Sequence, residues 1–126
     1  MRYSKVEYKD FLKPDMSVLL GVVIQDDKSV TTKFDLTPAK FELVKTISPE
    51  ADWNTFRLFD TTFKESFLSK DVIVTSGNYE KKEFKITDPF FLKYLNQKYQ
   101  NNYRFSEPEE IDDAKKVFDL MVSMGN

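Results

Sequence analysis

The 126-residue chain has no cysteine, no histidine, only three glycines, and a formal net charge of −2. Without cysteine there is no disulfide, thiolate nucleophile, iron–sulfur cluster or cysteine-ligated zinc. Without histidine the usual general base near neutral pH is missing, and with it Ser-His-Asp and Cys-His catalysis and metal sites built on imidazole. Phosphate loops need closely spaced glycines, because only a bare backbone can wrap an anion with its N–H groups. Gly21, Gly77 and Gly125 are far apart, which excludes a P-loop and a dinucleotide fingerprint. These absences point to no cofactor, no metal and no catalytic residue. The longest apolar run, Val18 to Ile24, is seven residues long where a membrane helix needs about 20, so it reads as a buried strand. No hydrophobic signal core follows Met1, and a cytoplasmic location is expected.

Apolar residues make up 40% of the chain and aromatics 15%, with 12 Phe, 6 Tyr and 1 Trp, enough to build a core. The length suits one domain, residues 1–126. Arg2 to Phe11, rich in Tyr and Val, reads as a strand broken by Pro14-Asp15. Ser17 to Gln25 is apolar on both faces, as a central strand would be. After the turn Asp26-Asp27-Lys28, Val30 to Phe34 returns as a hairpin partner with Val30, Thr32 and Phe34 on one side.

Helices follow. Thr37 is placed to cap a helix with Pro38 at its first position, and Phe41, Val44 and Ile47 form its face. Ser48-Pro49 repeats that pattern ahead of Trp53, Phe56, Phe59, Phe63 and Phe67, an aromatic stripe at helical spacing that reads as core. Val72 to Thr75 and Glu83 to Thr87 flank the turn residues Ser76-Gly77-Asn78, so they read as a shorter hairpin. Asp88-Pro89 opens a helix carrying Phe90, Phe91, Tyr94, Leu95 and Tyr99, and Tyr103 to Phe105 is a short strand stopped by Ser106-Glu107-Pro108. A last helix is expected from Asp112 to Ser123, with Ala114, Val117, Phe118 and Met121 on one face and Gly125 past its end. The pattern is that of an α+β fold, a mainly antiparallel sheet (N-terminal strand plus hairpin) with three to four amphipathic helices packed on one face.

Three carboxylate pairs, Asp26-Asp27, Glu109-Glu110 and Asp112-Asp113, have the composition of acid–base or Mg²⁺ chemistry. All three sit in expected turns or at a helix start, where solvated carboxylates are ordinary. Charge divides along the C-terminal third. Lys81, Lys82, Lys85, Lys93, Lys98 and Arg104 stand against Glu83 and Asp88, and the segment after Ser106 sets six acids against Lys115 and Lys116. The two blocks can pair with each other. Cations interleaved with Tyr94, Tyr99 and Tyr103 also suit base stacking, but the nearby acids and the net charge disfavour nucleic acid. Dense aromatic and charged residues instead mark a protein contact, with Tyr94, Lys98, Tyr99, Tyr103, Arg104, Glu107, Glu109 and Glu110 as its candidate residues. In Ser106-Glu107-Pro108 the serine is expected to bond locally to the backbone rather than to act as a nucleophile.

Two segments carry a family resemblance. Tyr3-Ser4-Lys5-Val6-Glu7-Tyr8 followed by Leu20-Gly21-Val22-Val23-Ile24 resembles the opening of the bacterial family called domain of unknown function 3037. Tyr103-Arg104-Phe105-Ser106-Glu107-Pro108, with the acidic turn and helix after it, is similar to that family's closing segment. The Arg-Gly step usual before the family's second strand is here Pro14-Asp15-Met16-Ser17. Genes of this family often lie beside genes for HipA-like kinases, which resemble the toxin kinases of toxin–antitoxin systems. The resemblance implies a small bacterial or mobile-element protein that works with a kinase-like partner as regulator, accessory subunit or antitoxin, and it transfers no catalytic residue. Two alternatives stand beside it. One is a phage or mobile-element inhibitor of a host defence protein, with the acidic end mimicking nucleic acid; the other is a Mg²⁺-dependent carboxylate enzyme.

Overall fold

In the computed structural model, residues 1–10, 12–69, 72–77, 80–98, 102–113, 115–117 and 119 are described. Along the chain come β1 (Arg2–Asp10), β2 (Lys13–Gln25), β3 (Val30–Phe34), α1 (Pro38–Ile47), α2 (Trp53–Arg57), α3 (Phe59–Phe63), a π-helical turn (Lys64–Leu68), β4 (Ile73–Gly77), β5 (Glu80–Phe84), α4 (Phe90–Lys98), β6 (Tyr103–Phe105) and β7 (Glu109–Glu110). The fold is α+β. Its main sheet has the order β3-β2-β1-β6, with β7 also paired to β1, and every pairing is antiparallel; β4 and β5 form a separate hairpin.

The register of β1 against β2 shows how one apolar run serves two faces. Val6 lies opposite Gly21 but Glu7 opposite Leu19, so Leu20 is an extra residue, a β-bulge. The bulge brings Val18, Leu20 and Val23 to one face and leaves Val22 and Ile24 on the other. On the first face, Val6, Val23 and Phe105 meet Phe59, Phe63 and Phe67 from α3 and the π turn, and Phe91, Leu92 and Leu95 from α4. Tyr8, Val18 and Leu20 continue it under Phe41, Val44 and Ile47 of α1 and Phe56 of α2. On the far face Tyr3, Val22 and Ile24 are covered by Val117, from the short helical stretch at 115–117.

Gly21 makes this packing sterically possible. It pairs with Val6 on one side and with Phe34 on the other, and a Cβ there would fall onto Lys33 O and come within 2.8 Å of Phe34 Cα and Cδ1. The Phe34 ring occupies that space and packs against Phe59 (5.3 Å between centroids) and Phe63 (6.1 Å).

Several sequence expectations change in the structure. Pro14-Asp15 does not separate two strands: residues 14–16 are bulged out within β2, between the pairs Lys9↔Ser17 and Asp10↔Lys13, and a bulge is where a strand tolerates proline. Ser48 ends α1 instead of starting the next helix, and Asp52 is the residue that caps α2, its Oδ2 accepting from Thr55 N at 2.9 Å. The aromatic stripe does not ride on one helix. The chain breaks at Leu58, so that Phe56 enters the α1 side of the core and Phe59, Phe63 and Phe67 the α4 side. A spacing of four overshoots an α-turn by about 40° per step. The wider π turn, in which Ser69 N donates to Lys64 O at 3.0 Å, compensates and keeps Phe67 inside. The second strand of the small hairpin is Glu80–Phe84 rather than Glu83 to Thr87; the segment after it is held as a turn, because buried Gln25 donates through Nε2 to Ile86 O (2.6 Å) and Asp88 O (2.7 Å). Thr37 and Asp88 cap as expected. Of the last helix, Ala114, Phe118, Met121 and Gly125 lie outside the described residues.

This packing makes three stability predictions, each read by urea titration. Gly21→Ala is expected to lower the unfolding free energy by about 3 kcal/mol or to prevent folding, since the obstruction is backbone. Leu19→Ala, half-buried two residues away, is expected to cost about 1 kcal/mol in the same urea titration. Ser4 is fully buried beside Val23 and its hydroxyl has no hydrogen-bond partner among the described residues. Ser4→Ala removes that unpaired group and is expected to raise stability by about 1 kcal/mol, read as a higher urea midpoint.

Candidate functional site

β3 covers β2 only from Gly21 to Gln25. Asp35 N donates to Leu20 O at 2.7 Å, and the chain then departs toward the Thr37 cap of α1. Among the described residues no strand pairs with the stretch of β2 before Leu20 on that side, and α1 lies alongside it. Between them is an open groove of about 590 Å³. Val18, Leu19, Leu43 and Ile47 supply apolar lining, Lys40 sits at its inner end, and Glu7 and Asp15 bring negative charge to it.

The α1 wall follows from helical spacing. Phe41, Val44 and Ile47 turn inward, and Lys40 shares that side, so its side chain is 5% exposed and its Nζ lies 3.9 Å from Asp35 Oδ2. Leu43 is on the other side of the stripe and remains 49% exposed. Across the groove Met16, lifted out by the 14–16 bulge, is 45% exposed. Two large apolar side chains thus flank the cleft in solvent, where an isolated exposed leucine would mean little.

A second hollow of about 400 Å³ has Tyr8, Leu12, Phe56 and Tyr103 among its walls, with the carboxylates Asp10, Glu50 and Asp52. Two of those carboxylates already serve the backbone: Asp10 Oδ1 accepts from Leu12 N at 2.8 Å, and Asp52 caps α2. The Thr55 amide and hydroxyl hold Asp52 below the usual carboxylate range. Asp26 is lowered by the Lys28 and Ser29 amides of its turn, and Glu110 by the Arg2 guanidinium. Among the described residues no cluster of three acids is arranged to hold a metal ion. Glu109-Glu110 form a strand, β7, rather than a turn, because Arg2 and Tyr3 offer the edge of β1 as a partner. Asp113 Oδ1 accepts from Lys115 N at 2.9 Å, ahead of the helical residues 115–117, where the sequence places the helix start at Asp112.

The residues expected to form the protein contact are distributed over separate places. Tyr103 is half-buried, stacked on Phe59 (4.1 Å, 10°) and edge-on to Tyr8. Tyr94 packs edge-on to Phe67 and Phe84, and Lys98 lies over the rings of Phe67 (5.0 Å) and Tyr94 (5.7 Å). Arg104 is opposite Glu7 on the far face of the sheet, and Glu107 is exposed. Glu109 accepts from Tyr3 Oη at 2.5 Å and Glu110 from Arg2 Nε at 2.7 Å, so the acidic block pairs with the first strand. Tyr99 lies outside the described residues. Ser106 Oγ accepts from Lys5 N at 2.8 Å, a bond across to β1, whereas its local bond to Glu107 O is long at 3.4 Å.

The groove itself escaped sequence reasoning, although two signals pointed to it. Lys40 is a cation placed four and seven residues before Val44 and Ile47, on an otherwise apolar stripe, and Leu43 is an apolar residue off that stripe. Among the described residues no helix is long and apolar enough to cross a membrane. No protein-family model, no curated protein and no solved structure matches this chain.

The Tyr3–Glu109 contact makes a pH prediction. The bond to the Glu109 carboxylate, burial, and the Glu109 charge all resist loss of the phenolic proton and push Tyr3 up to about 12 from its ordinary 10. A pKa raised on folding contributes stability below pH 10 that disappears as pH rises toward 12. The wild type is expected to exceed Tyr3→Phe by about 1 kcal/mol near neutral pH and to lose that advantage between pH 10 and 12, read by urea unfolding across the range.

Proposed function

We propose that this protein is a non-enzymatic protein-interaction module and that the groove between α1 and β2 is its contact surface. The observation that carries the reading is the pair of exposed apolar side chains, Met16 and Leu43, on either side of a cleft with an apolar lining. Interface centres are enriched in methionine and depleted of charge, with a polar rim around them. The carboxylates support it from the other direction: those with displaced pKa values, Asp26, Asp52 and Glu110, are all held down by amides, a hydroxyl or a guanidinium, the opposite of what a general acid requires.

The resemblance at the two ends of the chain directs the search for a partner to HipA-like kinases, with this protein as regulator or accessory subunit. A host defence protein bound by a phage or mobile-element inhibitor is the rival occupant of the same surface. The two differ in what is recovered from the native host by an affinity-tagged pull-down with native-mass stoichiometry.

A kinase-like protein is expected at fixed stoichiometry. Leu43→Asp, an exposed change on α1, is expected to lower recovery at least tenfold with an unchanged thermal midpoint, because a charge is then desolvated at the centre of the contact. Glu107→Ala, exposed beyond β6 at the other edge of the sheet, is expected to retain the partner. Recovery of the protein by itself, or equal recovery by Leu43→Asp, would overturn the reading.

A further inference from the structure

Backbone direction says what kind of segment the groove accepts. Ser106 N donates to Lys5 O at 2.9 Å and Lys9 N to Asn102 O at 2.6 Å, so the odd-numbered residues of β1 turn their peptide groups toward β6. The even-numbered ones, Ser4, Val6 and Tyr8, therefore turn theirs toward β2. Through the register, Val23, Gly21 and Val18 are the residues of β2 that answer them. Val22 and Ile24 face the opposite way, toward β3, and so does the Leu20 carbonyl that Asp35 N meets. Ser17 and Leu19 also face that way, but β3 has already ended at Phe34. No strand among the described residues pairs with Ser17 and Leu19 on that side, and both residues line the groove, on the line that β3 follows higher up, with α1 as the far wall.

A helix would satisfy its own backbone groups and gain nothing from these, and a small ligand would reach only part of the row. An extended chain reaches all of it, since its peptide groups recur at the spacing of β2 itself, about 3.4 Å per residue. Its side chains would alternate. Those directed toward α1 would meet Leu43, Ile47 and Val18, and those directed to the far face would meet Leu19 and Glu7. Asp15 and Glu7 add negative charge, while Lys40 is already paired with Asp35. That balance favours a cationic residue in the incoming segment.

The geometry points to strand addition: an extended segment of a partner protein, apolar at alternate positions and carrying Lys or Arg toward Asp15 and Glu7, adds to β2 at residues 17–19. The inference rests on the interaction reading above and specifies its mode. It is separable from that reading, because a partner bound by a helix or by another face would still appear in the pull-down.

The probe is a phage-displayed library of random dodecapeptides selected against the whole protein, followed by titration of the best synthetic peptide and its singly N-methylated forms. Selected peptides are expected to share apolar residues two apart and one Lys or Arg. Methylation is expected to weaken binding about tenfold at amides that face β2, the loss of one or two net hydrogen bonds, and to change little at the amides between them. Binding should also fall at least tenfold with Leu43→Asp. A library that yields no binder, N-methyl effects without alternation, or binding that survives Leu43→Asp would each overturn strand addition. Light scattering that shows a dimer abolished by Leu43→Asp would overturn it in favour of a second copy as the occupant.

Discussion

The close approach of three strands at Gly21 is the constraint on which the rest of the structure depends. Val6, Gly21 and Phe34 lie side by side, and the last two approach so tightly that no Cβ fits between Gly21 and the backbone of Lys33 and Phe34. The neighbouring bulge at Leu20 resets the alternation of β2. Without that extra residue, Val18, Leu20, Val22 and Ile24 would all share one face and the aromatic helices would lose Val23 beneath them. With it, the same run supplies the floor of the helical core and the smaller cluster under Val117.

The groove follows from the same place. β3 is short because its final pair, Phe34 with Gly21, is immediately followed by the departure through Asp35 to α1. The sheet therefore stops partway along β2, and α1 returns beside the uncovered part. Proteins usually protect such an edge with charge, bulges or a covering helix. Here a bulge at 14–16, Asp15, and α1 at a distance all border it, but the space between them stays open and is flanked by Met16 and Leu43.

Much of the architecture was legible locally. Thr37-Pro38 and Asp88-Pro89 mark helix starts because capping and proline geometry are decided within four residues. Phe41, Val44 and Ile47 mark a buried face by their period, and the run before Gln25 marks a central strand by its composition. The errors share a cause. Ser48-Pro49 has the local signature of a helix start, yet the competing acceptor Asp52 wins the cap four residues after Ser48. Pro14 looks like a strand break until Lys9 is found opposite Ser17 and Asp10 opposite Lys13. The residues named for a contact in the C-terminal third are not among these errors; neighbours there alternate between faces, so Tyr103 is stacked on Phe59 while Arg104 lies on the far face of the sheet.

The sequence by itself determined which classes of chemistry this chain can carry and where most of its helices and strands lie, because residue types, caps and periodicity act over a few residues. Only the tertiary structure decided which edge of the sheet remains uncovered, that the acidic Glu109-Glu110 pair is bound to Arg2 and Tyr3, and that Lys40, Leu43 and Met16 border one groove. Those outcomes depend on strand order, on a one-residue bulge, and on where β3 leaves β2. Each is settled by packing between segments distant in sequence, where a shift of one residue exchanges the two faces of a strand.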